Sequence, residues 1–443
     1  MASFLSLGRF LVICHQDILV SDSLSHGALK NSCLIARLDN DPVKKPNAFK
    51  SLATVQYLCG RNGCFREKEK IFVYFHTGQM PENIVSGSLI IFSKPLLPIE
   101  NTVAIAGFDY KAYCLFKHIH AQIFVKTSEY QVLGEVKENF FSAYLSSWRK
   151  NLLRILRKYI PDKEESGLME ALMIGYTDDL DRDLVQSYSN TGVVHIIAIS
   201  GLHLALIYQL LQLLLRRIKD KNSWRWLKLT LLVGSLWIFS LLSGASPSVI
   251  RSAVMFSILL LAHTLSRDSS VYNSLASSAF LLLCFDPFWL WDTGFQLSYS
   301  AVLSLVIFLK PIQGLFYIQN KLLKGFWSSA SVSIAAQILT TPISVYYFHR
   351  FPNYFLFSNL LAVPLSSCIL IGGILLCLVS FSPLLAHFFG WILGKEIGLL
   401  NGFVQYTADL PGAVTDRLSV NLLQVILLYM MIYCIYRYLS PSK

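Results

Sequence analysis

Charge is scarce in this sequence. Asp, Glu, Lys and Arg together supply 15% of its 443 residues, against 54% hydrophobic residues and a mean hydropathy of +0.50. A soluble chain carries about a quarter of its residues charged, so the soluble class is excluded for the chain as a whole. The scarcity is uneven: residues 1–165 hold 21 Lys/Arg and 15 Asp/Glu, whereas residues 166–443 hold 17 and 12 over a longer stretch. The first part reads as water-facing and the second as buried in lipid. The net charge of +11 divides as +6 and +5, so neither part is a polybasic tail. Such a balance suits a nucleic-acid or an anionic-lipid partner without choosing between them.

Other absences narrow the chemistry. No Gly-x-x-x-x-Gly-Lys-Ser/Thr run occurs, which excludes a phosphate-loop NTPase and leaves any driving force to another protein. The nine cysteines are scattered, and Cys284, Cys368, Cys377 and Cys434 lie in apolar segments as packing residues. Cys59 and Cys64, in CGRNGC, lack the second pair that a zinc site needs, but they could close a small disulfide loop in an oxidising space. No metal and no cofactor are expected. The opening stretch, Met1 to Val20, is interrupted by Arg9, His15 and Asp17, and its apolar runs are too short to span a bilayer.

What is present falls into three parts. Up to residue 135, short alternating runs such as KIFVYF (70–75), SLIIFSK (88–94) and HAQIFVK (120–126) predict a small antiparallel β-domain closed as a barrel. Residues 136–192 are amphipathic: Phe140, Tyr144, Trp148, Leu152 and Ile155 recur at helical spacing opposite a Lys/Arg face, as in a helix lying on a membrane surface. Residues 193–443 hold long apolar stretches, at 193–215, 229–243, 249–265, 274–291, 293–309, 329–348, 355–382 and 420–436 with a shorter one at 384–394. They predict a polytopic α-helical membrane protein of about eight or nine spans. Gly244 to Pro247, Asp286-Pro287, Pro342 and Pro364 predict that several spans are broken, as where backbone lines a cavity. The loops 216–228 and 310–326 are rich in Lys and Arg, which places them in the cytoplasm and the β-domain outside.

At 192–207 the sequence reads GVVHIIAISGLHLALI, preceded by GLMEALMIGYTDDLDRDLVQSYSNTG (167–192). SGASPSVIRSAVMF (243–256), FDPFWLWDTGFQLSYSAVLSL (285–305) and AAQILTTPISVYYFHRFPNYFLFSNLLAVPL (335–365) follow in order, and NTVAIAGFDYKAYCLFKHIHAQIFV (101–125) lies upstream. In these blocks the chain resembles the ComEC/Rec-type competence family over roughly residues 60–385. The resemblance implies an OB-like fold for the β-domain and a channel carrying single-stranded DNA across the bacterial cytoplasmic membrane during transformation. It implies as partners an external DNA receptor, a cytoplasmic ATPase or helicase and a nuclease. The family commonly opens with hydrophobic spans that are not evident here. Many members also end in a metallo-β-lactamase-like domain, and this sequence stops at Lys443, so the nuclease is expected on a separate protein. His118-Ile-His120 lacks the Asp-His that would continue that domain's metal motif and reads as structural.

Ionisable and polar groups inside apolar helices are costly, and they usually face a cavity or a partner. Arg251 leads the candidates, either as a guanidinium offered to phosphate or in an internal pair with Asp286 or Asp292. On one continuous helix His195, Ser200 and His203 would form a polar stripe beside the small Gly201, lining a pore or joining helices. Asp292, Gln296 and Ser298 suggest a polar patch at the outer end of another span, and Asn359 a second, before Pro364; either could instead satisfy backbone at kinks. Phe, Tyr and Lys within 108–117 are candidates for stacking on bases or for the barrel core. Two other readings compete with the channel. One is a secondary transporter of a small anionic solute. The other is an intramembrane serine protease built on Ser200, with His263 or His349 as its partner.

Overall fold

The computed structural model describes residues 33–439, apart from 46–47, 61–62, 67, 77–83, 101–109, 136–139, 218–221 and 266–269. The readings made on the opening stretch, on Phe108 and on part of the 216–228 loop lie outside the described residues. The chain forms two units, one of residues 1–144 with Leu282–Asp292 and one of the remainder.

The first unit holds a nine-stranded sheet: β1 (Cys33–Leu38), β2 (Val43–Lys44), β3 (Ala48–Gly60), β4 (Gly63–Arg66), β5 (Lys70–His76), β6 (Ser88–Phe92), β7 (Leu97–Pro98), β8 (Ile119–Val125) and β9 (Tyr130–Glu135). The order is β7-β8-β5-β3-β1-β6-β9, with β2 and β4 also on the long β3. Strict alternation buries one face: Leu34, Ala36 and Leu38 of β1, Ile71, Val73 and Phe75 of β5, and Ile90 and Phe92 of β6. Their core cluster draws on strand residues together with Ile84 and Leu96. Among the described residues no helix contributes to that cluster, so the strands pack their apolar face on one another. Two departures from expectation follow. β5 pairs β8 in parallel, so the sheet is mixed rather than antiparallel, and the ladder is open at β7 and β9 among the described residues. A parallel pair needs a long crossover, which here includes β6, β7 and α1 (Tyr110–Phe116). Helix α1 covers the other face, where Cys114 packs with Ile99, Ile119, Leu52 and Phe72. His118 follows in the left-handed region (φ +57°), and its Nε2 lies 3.2 Å from the Asp286 carboxylate. The His-Ile-His sequence is thus part of the unit's packing, and no group of three or more His, Cys, Asp or Glu side chains among the described residues could hold a metal ion.

The second unit is helical: α2 (Phe140–Tyr159, from Leu145 on), α3 (Lys163–Ile174), α4 (Arg182–Asn190), α5 (Val194–Ile197), α6 (Gly201–Leu214), α7 (Asn222–Leu242), α8 (Pro247–Thr264), α9 (Val271–Phe285, to Leu281), α10 (Thr293–Gln313), α11 (Lys321–Phe348), α12 (Phe355–Val379), α13 (Pro383–Ala408) and α14 (Leu422–Leu439). Among the described residues four helices are long and apolar enough to cross a bilayer by length and composition: Trp224–Leu242, Pro247–Thr264, Thr293–Gln313 and Phe355–Val379. Gly201–Leu214, Val271–Phe285 and Leu422–Tyr438 are apolar but shorter. The expected span 193–215 is not one helix, because Ala198 leaves helical geometry and Ser200 caps a new one. The expected short segment 384–394 belongs instead to the 26-residue α13. Breaks do fall at Gly244 to Pro247 and at Asp286-Pro287, but α11 and α12 run on through Pro342 and Pro364. Proline removes one hydrogen bond, and a packed helix can tolerate that loss without ending.

Packing sets where the amphipathic part goes. Leu156, Tyr159 and Ile160 at the end of α2 are buried in a core shared with α3, α4, α5, α12 and α13. The last turns of α2 are therefore covered by protein, whereas Tyr144 and Trp148 of the expected stripe are exposed. α13 approaches so closely that a Cβ at Gly390 would sit 2.2 Å from the Tyr159 carbonyl oxygen. The left-handed Gly175 (φ +70°) ends α3 against the Ser243 carbonyl, and Arg149 donates to Ile174 O at 3.2 Å beside Gly244. Both contacts fix α2 and α3 at the turn joining α7 to α8. Between α10 and α11, Ser304 Oγ donates to the Ala335 carbonyl and accepts from Leu339 N–H at 3.2 Å.

One pair of substitutions tests the close approach. Gly390→Ala drives a methyl into backbone and is expected to lower folded abundance several-fold. Gly402→Ala meets nothing within 4 Å and gains helix propensity of about 0.5–1 kcal/mol. Thermal melts of the detergent-solubilised chain check this, and equal melts for the two variants would refute the packing.

Candidate functional site: buried polar groups among apolar helices

Ser200 is extended (φ −116°, ψ 170°) and caps α6, a geometry dictated by the Ser-Gly-Leu-His run. Ser200 Oγ accepts from the backbone of His203, while the His203 ring accepts back from Ser200 N–H at 3.1 Å through Nδ1. This is a capping box in which histidine stands where Glu or Gln is usual. Accepting through Nδ1 leaves the proton of a neutral ring on Nε2. His203 is 1% exposed, and its Nε2 has no hydrogen-bond partner among the described residues. Ser200 Oγ lies 3.3 Å from the same Nδ1, but that lone pair already serves the backbone N–H, so the contact is a cap rather than a nucleophile and base. His349 is held at 3.3 Å by the Leu418 carbonyl. His263 is eleven residues beyond Ser252, roughly 16 Å along α8 from the place where α6 touches it.

His195 does not share a helix with Ser200 and His203, because α5 ends before the cap. The stripe predicted on one helix is replaced by two segments, with His195 on α5 and His203 on α6. Gly201 allows the closest approach: a Cβ there would lie 2.6 Å from Ser252 Oγ on α8. Next to Ser252, Arg251 is 3% exposed. It donates through NH2 to the Gly294 carbonyl at 2.6 Å, and its guanidinium lies 5.7 Å from the Phe295 ring centroid. Asp286 is engaged by His118 and caps Phe288 N–H, so its carboxylate is committed within the first unit. Of the residues expected to form a patch, Asp292 ends a short turn of the first unit, and Gln296 and Ser298 lie on α10.

In the first turns of α12, Ser358 is fully buried and Asn359 is 9% exposed. Ser358 Oγ and Asn359 Oδ1 have no hydrogen-bond partner among the described residues. Helix α12 packs against α6. The left-handed Gly192, just ahead of α5, abuts Pro352 and Phe355 at the start of α12. Sequence reasoning found Asn359 but missed Ser358, since a serine in an apolar helix usually bonds its own backbone. It also missed the clamp of Arg157 to Glu170 (Nε to Oε1 2.8 Å) and Asp179 (NH2 to Oδ2 2.8 Å). A signal was available there, because Glu170 is the single charge in GLMEALMIG. Burial pushes the Glu170 carboxyl above its ordinary range and Arg157 opposes that shift.

In the β-domain, Cys59 is disulfide-bonded, and the β3–β4 register sets it opposite Cys64. On the sheet's other face Lys50 lies 3.5 Å over the Phe72 ring, and Tyr74 stacks on Phe124 at 4.7 Å. Nearby on α1, Lys117 lies 4.3 Å over Tyr113.

Span-length apolar helices following a β-domain define a helical membrane protein. Residues 172–442 match the family model described as Competence protein, so the chain belongs to the competence family of ComEC/Rec type. It is similar to ComE operon protein 3 of Bacillus subtilis, with 31% identity over 309 residues covering 68% of this chain and 37% of that one. It is also similar to Recombination protein 2 of Haemophilus influenzae (26% over 301 residues; 66% and 36%) and to Competence protein ComA of Neisseria gonorrhoeae (27% over 252 residues; 54% and 35%). The chain thus spans just over a third of the length of these relatives. No solved structure matches it.

Replacing Arg157 by Ala strands the buried Glu170 carboxylate. Breaking a fully buried pair costs about 3–5 kcal/mol, and a smaller loss is expected here because Arg157 is half exposed. Adding Glu170→Gln should recover part of the stability in a detergent melt; a double variant no better than the single one refutes the clamp.

Proposed function

We propose that the chain forms the path by which single-stranded DNA crosses the bacterial cytoplasmic membrane during natural transformation. The carrying observation is the set of buried polar side chains, His203, Arg251, Ser358 and Asn359, among apolar helices of a chain that belongs to the competence family. Such groups are expensive in a bilayer and are kept where something polar passes. His195, Ser200 and Gly201 complete the path in this reading.

The Lys-bearing loop 310–326 is cytoplasmic in this arrangement, and the β-domain is external, where an oxidising space sustains a Cys59–Cys64 disulfide. The sheet then acts as an OB-like domain. Its Lys50, Phe72, Tyr74 and Phe124 surface would receive the strand by stacking and basic contact. An external receptor, a cytoplasmic ATPase or helicase and a separate nuclease complete the machinery. A secondary transporter of a small anionic solute is the second reading, favoured by buried donors in the first turns of α6 and α12.

Deleting the gene is expected to abolish transformation and the arrival of labelled DNA in the cytoplasm while leaving DNA bound outside; normal transformation in the deletion strain refutes the proposal. For the β-domain, Phe124→Ala in the full chain should weaken binding of a single-stranded oligonucleotide about tenfold, the value of one base–aromatic stack. Unchanged affinity would remove that surface from the path.

A further inference from the structure

Histidine is not the residue that best closes a capping box. Glu or Gln at the same position would satisfy Ser200 N–H as well, so capping alone does not account for the ring. What the ring adds is a second nitrogen, and that nitrogen is a buried N–H without a hydrogen-bond partner among the described residues. Leaving such a donor unmet costs about 1–3 kcal/mol, an expense a fold rarely carries without a use.

The same condition recurs on the neighbouring helix. Ser358 Oγ, fully buried, and Asn359 Oδ1 also have no partner among the described residues, and both lie in the first turns of α12, which packs on α6. Gly192, in the segment that leads through α5 into α6, lies against Phe355, the first residue of α12. Each helix start carries the positive end of a helix dipole. Two such ends with buried, neutral donors make a seat for an oxyanion.

We propose that the first turns of α6 and α12 form a buried seat for a phosphate oxyanion, with His203 Nε2–H and the Ser358 hydroxyl as its side-chain donors. This rests on the DNA-path reading and specifies it: the phosphate that occupies the seat is a phosphodiester of the passing strand. Neutral donors suit transit, because they hold a phosphate without the deep binding that a full charge in a dry site gives.

The test uses the full chain in a strain lacking the chromosomal copy, with DNA uptake read at matched membrane abundance. His203→Glu completes the usual capping box but withdraws the donor, and Ser358→Ala leaves every cap in place. Each is expected to lower uptake by about tenfold. His203→Gln supplies both an acceptor for Ser200 and an N–H, and should stay within about threefold of wild type. Uptake at the wild-type level in either of the first two overturns the seat, as does His203→Gln falling as far as His203→Glu. If His203→Glu does not accumulate, Ser358→Ala decides alone. A deletion strain that still imports DNA removes the path reading itself; a deletion that abolishes import beside a fully active Ser358→Ala removes only the seat. To distinguish the two sources of phosphate, the purified chain in nanodiscs is titrated with a short single-stranded oligonucleotide and, separately, with inorganic phosphate. Weaker oligonucleotide binding in Ser358→Ala supports the assignment, and binding of inorganic phosphate alone overturns it.

Discussion

Where α5 gives way to α6, an imidazole rather than a carbonyl satisfies the Ser200 N–H. Much of the helical unit's polar arrangement depends on that bond. A chain break among apolar helices exposes backbone groups that lipid cannot solvate, so the break persists only if its donors are met from within. The capping box meets them and thereby fixes the His203 ring, which is why Nε2 faces a buried place. Gly201, one residue on, lets the start of α6 approach Ser252, and this brings the capped turn beside Arg251. One local bond therefore places a histidine, a helix start and a buried guanidinium in the same part of the unit.

The segments before this break pack onto the apolar helices through their later turns. The last turns of α2 are covered by α3, α12 and α13, and the Tyr159 carbonyl lies where Gly390 lacks a side chain. Arg157 gathers Glu170 and Asp179, neutralising a carboxylate that would otherwise be charged in a dry core. Arg149 and Gly175 then join this layer to the turn between α7 and α8. The basic side chains Lys150, Arg154 and Lys158 remain on the exposed side of α2.

The β-domain shows a related economy. Its core cluster is made from one face of the sheet, so strand alternation carries nearly all of the information for burial. The sheet's other face carries the helix α1 and a row of aromatic and basic side chains, Lys50, Phe72, Tyr74 and Phe124. Tyr74 stacks on Phe124, while Phe72 packs with Cys114 of α1.

Much of this was legible in the residues. Alternation in KIFVYF and SLIIFSK identified strands and their buried faces, because side chains in a strand point to opposite sides at period two. Apolar length identified the helices, and the Ser-Gly-Leu-His run helped identify the family, since these depend on local spacing. The parallel β5–β8 pairing was not legible, because long-range partners are chosen by how the sheet closes over its core. Nor was the division of His195 from His203, because a hydropathy window averages over a three-residue break. Pro342 and Pro364 looked like interruptions, yet packing around α11 and α12 keeps those helices continuous. Ser358 carried no sequence signal at all. The sequence by itself determined a β-domain followed by apolar helices with few buried polar groups, because composition and period act locally. Which of those groups became neighbours, and which were left with an unmet hydrogen bond, was decided only by tertiary packing, since a donor's partner is set by distance in space and not along the chain.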